Sequence, residues 1–379
     1  MLNILNHLIR FNTVTPNEGG SLEYLTTLLQ DIGFQVITKQ FDDIDKSSKP
    51  TWNLYAYTHK TPQKNITFVG HMDVVHPGHD SDWTYSPFEP TIENGVLYGR
   101  GTSDMKATIA CFISAAQKFI GKTDCGLSML LTYDEEGNAI NGTKKMLKFL
   151  ASEGFTFSDA ITGEPTCDKK IGDTIKIGRR GSINFTIETI GKQGHAAYPH
   201  LAKNPMYTVV NVILALKNHK FDDGNEFFQP TNLEITGIES STKETNVVPN
   251  SVKFLCNVRF NSNHTGADIE KTVVEIVNKN IGNCVVKIES KVSGESFILK
   301  HLELAKIMQS AIKTVAGVDA ILSTSGGTSD ARFMKDYANV IEFGVLNQMA
   351  HKVDECVPIS DIETTEAIYI KFLELWCNK

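Results

Sequence analysis

Apolar residues recur along the first half of the chain with two periods. In SLEYLTTLLQDIG, residues 21–33, Leu22, Leu25, Leu28, Leu29 and Ile32 share one helical face, with Ser21 as an N-cap and Gly33 as a stop. FQVITKQF (34–41), NITFVG (65–70) and GLSMLLTY (126–133) read as strands. Helical spacing returns in DMKATIACFISAAQKFIG (104–121) and NGTKKMLKFLAS (141–152). Such alternation predicts an α/β layer fold around a largely buried sheet.

The middle of the chain changes rhythm. INFTIETI (183–190), a helix over 204–219, TNLEITGIES (231–240), SVKFLCNVRF (251–260), a helix over 266–280 and CVVKIES (284–290) give the order βαββαβ. A ferredoxin-like module of about a hundred residues fits that order. Helix and strand then alternate again through HLELAKIMQSAIKTVAG (301–317), DAILST (319–324), ANVIEFGVL (338–346) and TTEAIYIKFLELWC (364–377). The expected organisation is a larger α/β domain of residues 1–177 and 294–379, interrupted by a small domain of residues 178–293.

Composition narrows the function classes. With 379 residues, 41% apolar and 21% charged, the chain can bury a large core and is not expected to be disordered. A net charge of −7 and the lack of a Lys/Arg cluster argue against a nucleic-acid partner. Seven cysteines, at 111, 125, 167, 256, 284, 356 and 377, form no CxxC pair, and an odd number cannot all pair within one chain. A reducing compartment is the simpler reading. The N-terminus MLNILNHLIRFNTVTP lacks a basic region and a signal cleavage site, and no apolar run approaches membrane-spanning length. A cytoplasmic protein with no membrane partner is expected.

Ligands of open α/β sheets bind beyond the carboxyl ends of strands. The polar residues at those places are His71 and Asp73 after NITFVG, Asp104 after VLYGRGTS, Asp134, Glu135 and Glu136 after GLSMLLTY, Glu164 in ITGEPT, and His351 after VIEFGVL. Singly, each has an ordinary reading: a surface histidine, a solvated acidic turn, or, for Asp104, a helix N-cap. GRGTSD lacks the spacing and the lysine of a phosphate loop. Together, two histidines and several carboxylates at matching positions are the donor set that Zn²⁺ accepts.

GHMDVV, LYGRGTSDMK, TYDEEG and TGEPT, in that order, resemble the metal-site motifs of the M20 family of zinc aminoacylases and peptidases, and the likeness covers the whole chain. It implies a zinc-peptidase-like catalytic domain with a mixed central sheet, and identifies the βαββαβ insertion with a dimerisation or lid domain. It further implies two Zn²⁺ per subunit, for which Co²⁺ can substitute. His71 and Glu164 would bind one ion, Glu136 and His351 the other, and Asp104 would bridge them. Asp73 would orient the His71 ring, since a metal-bound imidazole usually donates its other N–H to a carboxylate. Glu135 would be the general base.

GRRGSINF, QGHAAYPHLAKNP, NVVPN, STSGGTSDARF and EFGVLNQMAHKVDECV are similar to family members that remove succinate from N-succinyl-LL-2,6-diaminopimelate. Members that deacetylate N-acetylornithine are the alternative, with dipeptidases, general aminoacylases and a non-catalytic zinc or amino-acid binder further off. For a substrate with several carboxylates, Arg179, Arg180 and Arg259 are candidates because a guanidinium holds a carboxylate with two parallel hydrogen bonds. The likeness adds Ser182, Asn246, Gly327 and Thr328 as substrate contacts, Asn246 from the partner of a homodimer. It also implies that His195 enters the other subunit's site and stabilises an oxyanion; a histidine capping the turn before Tyr198 is the ordinary reading. Ala331, Ala107 and the pair Met349 and Ala350 depart from the family pattern, none of them at an expected ligand.

Overall fold

The computed structural model describes residues 1–42 and 48–378 and divides the chain into two compact units. The first comprises Met1–Ile177, Leu299–Ser323 and Ser329–Lys379, and the second Gly178–Ile298 with Thr324–Thr328. The second unit extends past residue 293 because its last long strand runs to Gly294 and Phe297–Ile298 then pairs with Gly178–Arg179. Residues 324–328 also join it, a short excursion that no periodicity could announce.

The first unit is built on a mixed eight-stranded sheet. Its spatial order is Gln35–Phe41, Thr51–Tyr57, Gly126–Thr132, Asn65–His71, Asp159–Thr162, Asn339–Glu342, Thr174–Lys176 and Ile321–Ser323. The third and fourth strands of that order, Gly126–Thr132 and Asn65–His71, run parallel and are buried at every position. Continuous apolar runs are what a sheet covered on both faces demands. Thr51–Tyr57 was not visible as a strand in the periodicity; Asn53, buried within it, donates to the Asn141 carbonyl at 2.9 Å.

Helices Leu2–Arg10, Ala107–Gln117, Glu303–Ala316 and Ile359–Cys377 form one packed group. Phe68 of the sheet, Phe112 and Tyr369 meet there, with Phe68 and Phe112 stacked at 4.6 Å. The expected Ser21 cap is corrected, and the ordinary reading of Asp104 as a cap does not hold either. Ser21 is the first residue of helix Ser21–Asp31, and its hydroxyl bonds the Glu18 carbonyl and Tyr133 rather than capping the helix. Asp104 is not an N-cap; it lies inside a wide turn, Thr102–Lys106, with φ −126° and ψ 92°, ahead of helix Ala107–Gln117.

The second unit has a four-stranded antiparallel sheet in the order Asn232–Ser240, Ser251–Phe260, Gly181–Ile190, Val285–Gly294, with helices Pro205–Asn218 and Gly266–Asn280. In chain order this is βαββαβ, the split arrangement of ferredoxin-like modules. Along Ser251–Phe260 every second residue is buried, so one face carries the core of Phe185, Phe254, Phe260, Val212 and Val273. A Thr265–Asp268 capping box starts the second helix. Phe254 has no exposed surface, so Phe254→Ala should cost about 3–5 kcal/mol. Denaturant unfolding followed by circular dichroism should show its midpoint lowered, and an unchanged midpoint would place Phe254 outside the packed core.

Candidate metal centre

Each first-unit candidate sits where a strand gives way to a loop. His71 is the last residue of Asn65–His71 and is 1% exposed. Glu135 and Glu136 follow Gly126–Thr132, in a turn shaped by Asp134, whose carboxylate accepts the N–H groups of Asn138, Ile140 and Asn141. Glu164 follows Asp159–Thr162 across Gly163, where a Cβ would lie 2.3 Å from the Phe68 ring, so only glycine lets the strand end this close to the core. His351 lies beyond Asn339–Glu342 with a left-handed φ of 64°, a conformation uncommon for a side-chain-bearing residue.

These side chains converge. His71 Nε2 is 3.1 Å from Asp104 Oδ1 and 4.0 Å from Glu164 Oε1. His351 Nε2 is 3.3 Å from Asp104 Oδ2 and 2.6 Å from Glu136 Oε1. Asp104 thus turns one oxygen to each histidine. Donor atoms of His71, Asp104 and Glu136 all lie within 4.8 Å of one another.

The charges suit a cation. Burial, and then the neighbouring Asp104 and Glu135 carboxylates, push Glu164 well above the usual range, and its Oε1 is buried with no hydrogen-bond partner. Burial likewise pushes Glu135 up to about 8, His71 opposing and Asp330 and Glu136 adding to the rise. Burial alone would lower His71, yet the hydrogen bond and charge of Asp104 raise it well above the usual imidazole value. His351 is raised to about 10 by its hydrogen bonds to Asp104 and Glu136. Crowded carboxylates that cannot all ionise, beside imidazoles that hold protons for want of another positive charge, fit a divalent-cation site.

Asp73 meets the His71 ring with both its main chain and its side chain. His71 Nδ1 donates to the main-chain carbonyl of Asp73 at 2.8 Å, and the Asp73 carboxylate stands 3.7 Å away. The carbonyl fixes the ring. The buried carboxylate also accepts the N–H groups of Glu135, at 3.3 Å, and Glu136, at 3.0 Å. Burial raises it to about 7. It therefore holds the main chain of the two glutamates as well as standing beside the imidazole.

Several buried ionic groups at this centre were not singled out in the sequence. Glu355 bonds the Asp104 loop, Glu342 accepts from the Ser329 hydroxyl at 2.8 Å, and Asp330 is buried beside Glu135. Lys106 is wholly buried and donates to the Phe11 carbonyl at 3.2 Å. The available signal was an acid inside a strand-like apolar run, as in VIEF, because carboxylates are almost never buried without partners.

The remaining candidates belong to the second unit. Arg179, 7% exposed, donates to the Ser325 carbonyl at 3.0 Å, and a Cβ on Gly326 would lie 2.3 Å from its guanidinium. Arg180 donates to Asn232 at 2.8 Å, and Arg259 Nε to Asn257 at 3.0 Å. Ser182 is buried and accepts from Asn257. Gly327 is exposed and Thr328 partly so. His195 is exposed, pairs with Val247, and accepts the Ala197 N–H at its Nδ1, 3.0 Å away. Asn246, also exposed, supplies the carbonyl that holds Ala196 at 2.9 Å. His195 and Asn246 thus share one short ladder.

A model of Peptidase family M20/M25/M40 matches residues 67–375. The chain is 42% identical over 380 residues to a succinyl-diaminopimelate desuccinylase of Pelagibacter ubique (strain HTCC1062), covering 98% of each chain. It is 45% identical over 382 residues to the protein of the same name from Rickettsia rickettsii (strain Sheila Smith), again covering 98% of each. Among solved structures, an M20 family metallo-carboxypeptidase, Sso-CP2 from Sulfolobus solfataricus, superposes with a TM-score of 0.82 at 17% identity, over 100% of this chain and 99% of that one. Bacillus subtilis YXEP, described as a dinuclear metal binding peptidase from the M20 family, gives 0.70 at 13%, over 100% and 96%. At those identities the superpositions speak for the fold. Motifs, donor cluster and end-to-end relatives converge: the chain belongs to peptidase family M20/M25/M40.

Proposed function

We propose that the chain hydrolyses N-succinyl-LL-2,6-diaminopimelate to succinate and LL-2,6-diaminopimelate, within lysine and diaminopimelate biosynthesis. The name carried by relatives 42–45% identical over nearly the whole length supports the substrate. The single observation that carries the chemistry is Asp104, whose two oxygens face His71 and His351. A carboxylate so placed suits a bridge between two cations, with Glu164 completing the His71 side and Glu136 the His351 side. Zn²⁺ is the proposed ion, since mixed imidazole and carboxylate donors suit it, with Co²⁺ as a substitute. Held there by His71, Asp104, Glu136, Glu164 and His351, such ions would supply polarisation of the scissile carbonyl and a water pKa lowered towards about 7.

The chain's own groups do the rest. Glu135 takes the proton of the attacking water and returns it to the leaving amine. Asp73 keeps Glu135 and Glu136 divided between base and ligand through their adjacent N–H groups. Arg179, Arg180 and Arg259 are proposed to recognise the substrate carboxylates, with Ser182, Asn246, Gly327 and Thr328 as further contacts. In a homodimer, residues 178–293 would form the pairing domain, and His195 of one protomer would stabilise the oxyanion in the other. Among the described residues no helix is long and apolar enough to cross a membrane, and a cytoplasmic location is proposed on the biosynthetic role.

Glu135→Gln should retain wild-type zinc content by elemental analysis yet lose nearly all turnover; appreciable activity at full metal content would remove the base assignment. For the metal-loaded protein, kcat/KM should be far higher on N-succinyl-LL-diaminopimelate than on N-acetylornithine, and a chelator should abolish both. A preference for the acetyl substrate would keep the hydrolytic centre and overturn the substrate. His195→Ala should lower kcat by about a hundredfold or more, the scale of losing one oxyanion donor, with a small change in KM. Steady-state kinetics on the purified variant decide this, and near-normal kcat would leave His195 only its turn-capping bond to Ala197.

A further inference from the structure

Glu355 lies outside the donor cluster, yet it is 1% exposed and its carboxylate is committed to the loop that carries Asp104. Oε1 accepts the N–H groups of Ser103, at 2.8 Å, and Asp104, at 3.0 Å. Oε2 accepts the N–H of Gly101 at 2.9 Å and Arg100 Nη1 at 2.8 Å. The same guanidinium nitrogen reaches the carbonyl of Lys352, the neighbour of His351, at 3.1 Å. Arg100 sits 5.0 Å from the centre of the Trp83 ring, and Asp354 accepts both the N–H and the hydroxyl of Thr84. The carbonyl of Glu355 takes the N–H of Gly99.

Neither loop has regular structure to fix its ligand. Asp104 is non-helical within its turn, and His351 is left-handed. The Glu355–Arg100 pair ties their main chains together, beside the Ser103 hydroxyl's bond to the Leu346 carbonyl at 2.8 Å and the pairing of Cys356–Pro358 with Val96–Tyr98. We infer that Glu355, seated by Arg100, is a positioning residue that sets the spacing of Asp104 and His351 and thereby the affinity for the second cation; this rests on the two-cation reading above. Only a carboxylate suits the place. Four donors converge on it, an ionised carboxylate accepts without donating, and charge-assisted bonds of this kind are about twice as strong as neutral ones. An amide would turn an NH₂ group against at least one of those donors.

The test is zinc titration of the metal-stripped protein by calorimetry, with Co²⁺ absorption as a report on coordination geometry. Wild type should take up two ions. E355Q should keep the first but bind the second about 10–100-fold more weakly, the usual effect of losing a partner that holds a metal ligand, with an altered Co²⁺ spectrum. In turnover, kcat should fall while KM holds. R100K, which retains the charge but not the planar fork, should shift the second ion in the same direction and gives the answer if E355Q does not fold. Leu147→Ala, a core change in helix Thr143–Ser152, should lower the melting temperature and leave zinc affinity alone, separating positioning from general instability. Two ions bound by E355Q and R100K as tightly as by wild type overturns the role of Glu355. A wild-type isotherm that closes at one ion overturns the two-cation reading, and the inference with it.

Discussion

Crowding of like charge is the constraint on which the rest of the first unit depends. Asp104, Glu135, Glu136 and Glu164 are brought within reach of one another with two imidazoles as the nearest partners. Without a cation, such a group relieves itself by binding protons, which is what the raised Glu135 and Glu164 express. Holding anions together against that repulsion requires an unusually well-determined main chain. The sheet supplies part of it, because His71, the glutamate pair and Glu164 all sit at or just past the ends of neighbouring parallel strands.

The remainder comes from a second set of acids. Asp73, Asp134 and Glu355 each spend their carboxylate oxygens on main-chain N–H groups of the loops that present the proposed ligands and base. Buried and hydrogen-bonded, they convert loops into fixed supports. Glu164 is the reverse case: among the described residues its buried Oε1 has no hydrogen-bond partner, and His71 Nε2 stands 4.0 Å away. A carboxylate that has used its lone pairs on N–H groups has none to offer a metal ion. One side-chain type thus serves two purposes, distinguished by where its lone pairs point.

Much of this was legible in the sequence. The long elements were, since GADIEKTVVEIVNKN and SVKFLCNVRF carry clean periods that the structure returns over the same residues. The ligand candidates were visible because they follow such runs. Harder to see were strands with no alternation, as at Thr51–Tyr57, where burial is almost continuous and a polar Asn53 interrupts the run. Least visible were interactions made by the main chain. Spacing could suggest that Asp73 serves His71, but not that it does so through its carbonyl while its carboxylate serves two residues of a distant turn. Glu355 was hidden for the same reason: its partners are N–H groups, which leave no mark on residue identity.

The division of the chain separates two kinds of demand. Every residue of the donor cluster belongs to the first unit, whereas every residue proposed to recognise substrate belongs to the second, including the five-residue excursion that carries Gly327 and Thr328. That excursion is itself held by second-unit groups, Arg179 at the Ser325 carbonyl and Thr324 at the Phe227 carbonyl. Arg179 therefore helps to shape the glycine loop, and Gly326 supplies a φ of 107° that residues bearing a side chain rarely adopt. Metal chemistry tolerates almost no change in donor spacing, while acyl-group selectivity can be rewritten by a few side chains. Placing the two on separately packed units lets recognition change without disturbing the donor cluster, so substrate identity has to be argued from second-unit residues and whole-chain likeness, while hydrolysis follows from the first.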